Sequence, residues 1–263
     1  MILVKVGGGA SVNLEGVASD LAELDEPAVV VHGANAARDD LAARLGAPKR
    51  TVISESGVES VFTDAEALDV LTMAYAGLVN KRLVALCQRH GVNAIGLTGL
   101  DGALIRGRRN RGIRVAENGR RLLLHDDSGK PVSANVALLR LLLDSGYTPV
   151  VTVPILDEQG RAINTENDEV VALLQRALGA EVVVQLIEAP GLLADPGRPE
   201  SLLPTLGRGD VEAREGESSG RFRRKLMGLR KMMDSGCRRI VVGDGRLPHP
   251  LRSALSLQGT VIE

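Results

Sequence analysis

Six short apolar runs constrain this chain more than any other feature of its sequence: residues 2–6, 29–31, 94–97, 150–153, 182–186 and 240–242. Each is nearly continuous in hydrophobicity rather than alternating. A strand with one wet face alternates, whereas a parallel strand covered by helices on both faces does not. Helix patterns lie between these runs. The longest spans 63–91, opens on Thr63-Asp64-Ala65-Glu66 with the spacing of a capping box, continues through Leu68, Leu71, Tyr75, Leu78 and Leu83, and stops at Gly91. Others are predicted at 133–143, at 168–178 before Gly179, and at 221–233 before Gly236. Strand and helix alternating over the whole length predict an α/β fold, a three-layer αβα sandwich around a central, mostly parallel sheet.

Two stretches interrupt this rhythm. Residues 103–132 are polar, rich in Arg and Gly, and punctuated by Asn118-Gly119 and Ser128-Gly129, which predicts hairpins projecting from the sheet. Residues 195–220 are rich in Gly, Pro and Glu and read as a mobile excursion. The full 263 residues suit one large domain or two tightly joined lobes.

Composition removes several function classes. Lys and Arg number 32 against 33 Asp and Glu, a net charge of −1, which argues against a general nucleic-acid binder. That neutrality is a cancellation. Residues 106–121 carry +6 and residues 221–239 carry +7, so the other 228 positions carry −14. Aromatic residues are 2%, namely Phe62, Phe222, Tyr75 and Tyr147, which leaves little for stacking a base. Cys87 and Cys237 have no second thiol or histidine at ligand spacing, so no metal site or disulfide is expected. The opening residues do not read as a signal peptide, and no run approaches the roughly 18 apolar residues of a membrane span. A cytoplasmic protein without membrane partners is the expectation.

Five motifs carry candidate chemistry. Lys5-Val6-Gly7-Gly8-Gly9 ends the first strand, where glycine amides can approach an anion and a lysine adds a point charge. It is neither a P-loop nor a dinucleotide fingerprint. His32-Gly33-Ala34-Asn35 ends the second strand, with a packed core histidine as the plainer reading. Asn164-Thr165-Glu166-Asn167-Asp168 opens a helix, where a carboxylate also suits the helix dipole. Arg221 to Lys225 opens another with cations that oppose the dipole, a pattern that local stability does not explain. Gly243-Asp244-Gly245-Arg246 with His249, and then Gly259-Thr260, mark turns after the last core strand.

In this order the motifs resemble the amino-acid kinase family over essentially the full chain. Within it, Leu78-Val79-Asn80-Lys81, Asn93 to Gly102 and Gly107-Arg108-Arg109 are similar to the branch that acts on substrates tethered to an amino-group carrier protein. The resemblance implies an ATP- and Mg²⁺-dependent kinase that phosphorylates the side-chain carboxylate of glutamate or 2-aminoadipate. The acceptor would be attached to a small acidic carrier, in lysine, arginine or natural-product biosynthesis. Free N-acetylglutamate is the alternative acceptor, and a non-catalytic nucleotide- or amino-acid-binding regulator is the alternative of another class. Residues 1–160 are implied as the acceptor lobe and 161–263 as the nucleotide lobe of one domain, and a homodimer as the assembly.

The resemblance also implies roles. Lys5 lies against the transferring phosphoryl group, Lys225 on the leaving-group side, and Asp168 holds both ammonium groups. Gly7, Gly8, Gly33 and Ala34 line the acceptor carboxylate, and Asn164 binds its amide-linked end. Glu188, Gly191, Arg224 and Lys225 meet the nucleotide. Three positions depart from the family pattern. Ala34 replaces a glycine, Glu188 replaces Asp or Asn, and Val61 stands where relatives carry an arginine for the α-carboxylate. The basic segment holding Arg106, Arg108, Arg109 and Arg111 suits docking of an acidic protein.

Overall fold

In the computed structural model the first strand, β1 (Ile2–Val6), turns Ile2, Val4 and Val6 to one face of a sheet and Leu3 to the other, with Lys5 following Leu3 by the two-residue period. The structure describes residues 1–47, 49–54, 59–117, 120–195, 197–217 and 220–263, with side chains left out at 59, 60, 116, 117, 120, 121, 220, 221 and 224. The first half continues through α1 (Leu14–Ala22), β2 (Ala28–His32), α2 (Asn35–Arg44), β3 (Thr51–Ile53), β4 (Glu59–Val61), α3 (Ala65–Thr72), α4 (Asn80–Arg89), β5 (Ala94–Thr98), β6 (Ile105–Arg109), β7 (Ile113–Glu117) and β8 (Arg120–Leu124). Next come β9 (Gly129–Ala134), α5 (Val136–Asp144), β10 (Thr148–Thr152), β11 (Ile155–Leu156) and β12 (Ala162–Ile163). The remainder is α6 (Asn167–Leu178), β13 (Val182–Ile187), β14 (Thr205–Leu206), α7 (Arg208–Glu217), α8 (Gly220–Asp234), β15 (Arg239–Asp244), α9 (Pro250–Leu255) and β16 (Thr260–Ile262).

Among the described residues, eight strands form the main sheet in the order β14-β16-β15-β13-β1-β2-β10-β5, parallel except between β15 and β16. The expected α/β architecture with a mostly parallel sheet is therefore present. β1 is bonded on both edges, Ile2 lying beside Ala28 of β2 and Val182 of β13. From β1 the chain passes to β2 and then to β5 at the edge, fills the gap with β10, and returns beside β1 as β13 to build the other half of the sheet. Strand order reverses at β1, and the crevice beyond its carboxyl end is where open α/β sheets bind ligands.

Two apolar layers close the sandwich. Ile2, Val4, Val30, Val150, Val184 and Val241 pack under α1, α4 and α9. On the opposite face Leu3, Val31, Val151, Val183 and Val242 pack under α6 and α8 through Val171, Leu174, Leu226 and Leu229. The interruption at 103–132 does form hairpin structure, with β6 pairing antiparallel to β9 and β7 to β8. The Asn118-Gly119 turn lies outside the described residues.

Several expectations need correction. The helix predicted at 133–143 starts at Val136, because Ser133 and Ala134 are taken into the β6 ladder and Asn135 caps the Leu138 N–H. The long helix is capped by Asp64, which accepts from the Ala67 N–H, and not by Thr63. Its middle, Met73–Val79, widens into π turns. Residues 195–220 are not an excursion throughout. β14 joins the sheet beside β16, and α7 buries Val211 and pairs Glu215 with Arg230 of α8. Arg208, Glu212, Ala213, Arg214, Glu215 and Glu217 favour the helix, and packing on α8 offsets the cost of Gly209 and Gly216. The continuous helix Ala65–Arg89, with its 25 residues, is also long and apolar enough to cross a bilayer. In this fold Val70, Leu71, Ala74, Tyr75, Leu83 and Cys87 bury one stripe of it in the core.

Leu174 is fully buried between α6 and the sheet. Leu174→Ala is expected to cost about 2–5 kcal/mol. Urea unfolding followed by circular dichroism should show a lower midpoint with an unchanged slope.

Candidate active site

Lys5 reaches its partners because β1 is central and its odd residues face α6 and α8. The Lys5 Nζ donates to Asp168 Oδ1 at 2.5 Å, joining the first strand to the first turn of α6. Desolvation pushes the Asp168 carboxyl up, but the Lys5 charge and hydrogen bond, with Lys225 behind them, outweigh it and hold the group below the usual carboxylate value. Among the described residues, Lys225, on α8, forms no ion pair within contact distance. Removal of its ammonium from water, added to repulsion by Lys5, outweighs the attraction of Asp168 and pushes it down to about 8. The three groups thus converge as sequence reasoning placed them. Two cations share one carboxylate, leaving a positive surplus at the end of β1.

The glycine turns meet here too. A Cβ on Gly8 would lie 2.5 Å from the Ala34 N and 2.6 Å from the Asn35 N, so only glycine lets the two turns close on each other. The expected anion cradle is narrower than four amides, however. The Gly7 N–H is spent on the Leu186 carbonyl at 2.8 Å and the Gly33 N–H on the Val6 carbonyl at 2.9 Å, both continuing the strand ladders. Among the described residues, no hydrogen bond takes up the Gly8 N–H. The methyl of Ala34 is buried in the apolar core, so it does not obstruct the cradle. His32 is a core residue with Nε2 3.0 Å from the Asn80 amide and Nδ1 3.1 Å from the Gly33 carbonyl, and burial pushes its pKa down to about 4. Asn80 is the better donor to Nε2, which fixes a neutral ring with its proton on Nδ1.

Asn164 stands three residues before α6, its Nδ2 donating to the Thr63 hydroxyl at 3.2 Å. The hydroxyl of Thr165 and the carboxamide oxygen of Asn167 are buried without a hydrogen-bond partner. So is the carboxamide oxygen of Gln185, which sits opposite Lys5 on β13. Orphaned buried polar atoms flanking Asp168 and Lys5 fit a polar ligand. Sequence reading missed all three, since a polar residue inside an apolar strand was the sole signal for Gln185. Glu188 is turned toward the first glycine turn, where the Ser11 hydroxyl and N–H hold its carboxyl below the usual value. Gly191 (φ +159) packs against Thr260, whose hydroxyl accepts from the Leu192 N–H at 2.8 Å, and this explains the Gly-Thr near the end of the chain. The Arg224 side chain lies outside the described residues.

Two other expectations change. Val61 lines a cavity of about 130 Å³ together with Arg38, Lys49 and Arg50, and the Arg50 guanidinium lies 4.7 Å above the Phe62 ring. The same lining holds Asp39, Asp64 and Glu66, and Asp39 pairs with both Arg38 and Lys49, so the cavity carries no surplus of positive charge. Arg109 is not a free docking residue. Its guanidinium is paired with Asp127 and, at 2.9 Å, with the buried Asp157, whose carboxyl these contacts hold well below the usual value. Arg106 and Arg108 alternate with Ile105 and Gly107 and point outward, as does Arg111.

A match to the Amino acid kinase family model covers residues 1–244. The chain is 43% identical to the [LysW]-aminoadipate kinase of Thermus thermophilus, over all of both chains. It is 39% identical to the enzyme of that name from Deinococcus radiodurans, over all of this chain and 91% of that one. A crystal structure of N-acetylglutamate synthase from Neisseria gonorrhoeae superposes with a TM-score of 0.77 at 22% identity, over 99% of this chain and 58% of that one, and shares the fold.

The pKa of Lys225 sets a pH limit. A cation is needed where polyphosphate charge develops, so the working form is protonated and is lost as pH rises through about 8. The kcat/KM for ATP should fall above that pH. In Lys225→Arg the break should vanish, because guanidinium stays charged. A wild-type profile flat to about two units above the Lys225 value, where deprotonation is near complete, excludes Lys225 as the working cation.

Proposed function

The chain belongs to the amino acid kinase family, and we propose that it transfers the γ-phosphoryl group of ATP to the side-chain carboxylate of glutamate or 2-aminoadipate carried by a small acidic carrier protein. The observation that carries this reading is the Lys5–Asp168–Lys225 cluster at the reversal of strand order, at the end of the strand that runs into the glycine turn with the open Gly8 N–H.

A carboxylate is already a nucleophile, so the reaction needs positioning and charge neutralisation more than proton transfer. An acceptor oxygen bonds to the γ-phosphorus as the bond to the β,γ-bridging oxygen breaks, giving an acyl phosphate and ADP. Lys5 and the Gly8 N–H meet the transferring group, and Lys225 meets the charge developing on the leaving ADP. Asp168 keeps the two ammonium groups from separating. Asn164 holds the amide link of the acceptor. Mg²⁺ enters with the nucleotide and neutralises its phosphates, a role that needs few protein ligands. The lobe formed by 1–160 takes the acceptor and that formed by 161–263 the nucleotide, in a cytoplasmic homodimer.

The carrier reading draws on the outer face of β6 and β9. Arg108 stands directly opposite Lys130, both exposed, with Arg106 two residues along. Like charges facing each other across a ladder are destabilising without a counter-charge. Glu158, whose carboxylate accepts from the Arg109 N–H at 3.1 Å, offsets part of this, and an acidic partner would supply the rest.

Trapping the product with hydroxylamine after incubation with ATP and Mg²⁺ tests the reading. Hydroxamate should form with carrier-linked glutamate or aminoadipate. None with any carrier-linked, acetylated or free acidic amino acid would sink the kinase assignment, and formation with N-acetylglutamate alone would move it to the free acceptor. Lys5→Ala should lower kcat by about 10²–10³-fold. Combined reversal of Arg106, Arg108 and Arg111 to Glu should reduce carrier-dependent kcat/KM about 100-fold at low salt and leave ATP binding unchanged. Unaltered carrier-dependent turnover would place docking elsewhere.

A further inference from the structure

The second glycine turn ends in a side chain, Asn35, to which the motif reading gives no role of its own. Asn35 is the first residue of α2 and is exposed, and its N–H lies beside Gly8. Its carboxamide oxygen accepts from the hydroxyl of Tyr75 at 2.6 Å. Tyr75 is buried within the π turns of the long helix. Single π turns inserted in α-helices recur at functional sites because they re-aim a side chain.

The direction of this hydrogen bond matters. The Ala34 N–H donates to the same Tyr75 hydroxyl oxygen. The phenol therefore has its proton free for the Asn35 oxygen, and the amide cannot flip without setting donor against donor. Nδ2 of Asn35 is left with two N–H groups and, among the described residues, no partner. Among the described residues the Gly7 and Gly33 N–H groups are spent on Leu186 and Val6 and the Ala34 N–H on Tyr75, while no hydrogen bond takes up the N–H groups of Gly8, Gly9 or Asn35. The charge of Glu166, two residues before Asp168, also acts on Tyr75.

We infer that Asn35 is a substrate-contacting residue of this site, whose Nδ2, oriented by Tyr75, donates to the anion held at the Gly8 amide: the acceptor carboxylate and the phosphoryl group that joins it. Tyr75 is a positioning residue that acts through Asn35. The inference rests on the phosphoryl-transfer reading above and adds a side-chain donor to the backbone N–H groups of the glycine turns. A hydrogen bond to a charged group is worth enough for a change of about 10- to 100-fold when it is lost.

Steady-state kinetics of Asn35→Ala, Asn35→Asp and Tyr75→Phe with a carrier-linked acceptor provide the test. Asn35→Ala should lower kcat/KM for the acceptor by about 10-fold or more with the KM for ATP unchanged. Asn35→Asp should do worse, since it sets a carboxylate against a carboxylate. Tyr75→Phe should lose part of the Asn35→Ala effect, and nothing further when added to Asn35→Ala, because both act on one donor. Melting temperatures of the Asn35 variants should match the wild type, as the side chain is exposed.

Acceptor kcat/KM within twofold of wild type in both Asn35 variants overturns the inference. So does a parallel loss for ATP and acceptor with a lowered melting temperature. A second readout separates this from failure of the kinase reading. Calorimetric titration of MgADP with fluoroaluminate, a mimic of the transferring phosphoryl group, needs no acceptor. Weaker binding by about 10-fold in Asn35→Ala supports the donor even if no tested carrier is turned over, and equal binding removes it.

Discussion

Everything in this fold that bears on chemistry depends on β1 being bonded along both edges. A strand with β2 on one side and β13 on the other cannot slip by one residue without moving all of its side chains to the opposite face. Its register is therefore fixed by Ile2, Val4 and Val6, which must go to the α1, α4 and α9 side. Lys5 is forced by the same alternation onto the α6 and α8 side. Asp168 and Lys225 are there, 163 and 220 residues further along the chain. A lysine inside an apolar strand is tolerated because a carboxylate waits for it.

The site is electrostatically incomplete by construction. Asp168 satisfies Lys5, and Lys225 is left to titrate near 8 because burial and repulsion are not fully countered. A phosphate-rich ligand would complete it, drawing both cations toward their charged forms. The glycine turns work under a related constraint. The sheet consumes the Gly7 and Gly33 amides to terminate its ladders, so only part of the backbone N–H set of the two turns is left open. Side chains then have to supply what the backbone cannot, which is why Asn35 and the orphaned Thr165 and Asn167 oxygens draw notice.

Legibility followed the range of the interactions. The six core strands were readable because continuous apolar runs report burial on two faces, and α6 because Gly179 ends it in the left-handed region at φ +67. Its neighbour α7 was not readable: Arg208–Glu217 holds two glycines and one buried valine, and packing on α8 offsets the cost of the glycines. The choice of Asp64 over Thr63 as cap turned on Thr63 being engaged by Asn164, a residue 101 positions away. Arg109 looked like part of a basic surface until Asp127 and Asp157 came beside it. Charge counted along a sequence does not distinguish a free guanidinium from a paired one.

The sequence by itself determined the layered α/β architecture and the identities of Lys5, Asp168 and Lys225, since hydrophobic period and motif order are local properties. Only the tertiary structure decided which glycine amides remain open and which arginines face solvent. It also decided that His32 is a neutral core residue and that Tyr75 turns the Asn35 amide outward. Those outcomes depend on pairing between groups distant in the chain. A hydrogen-bond donor has a definite role only once its competitors for each acceptor are in place.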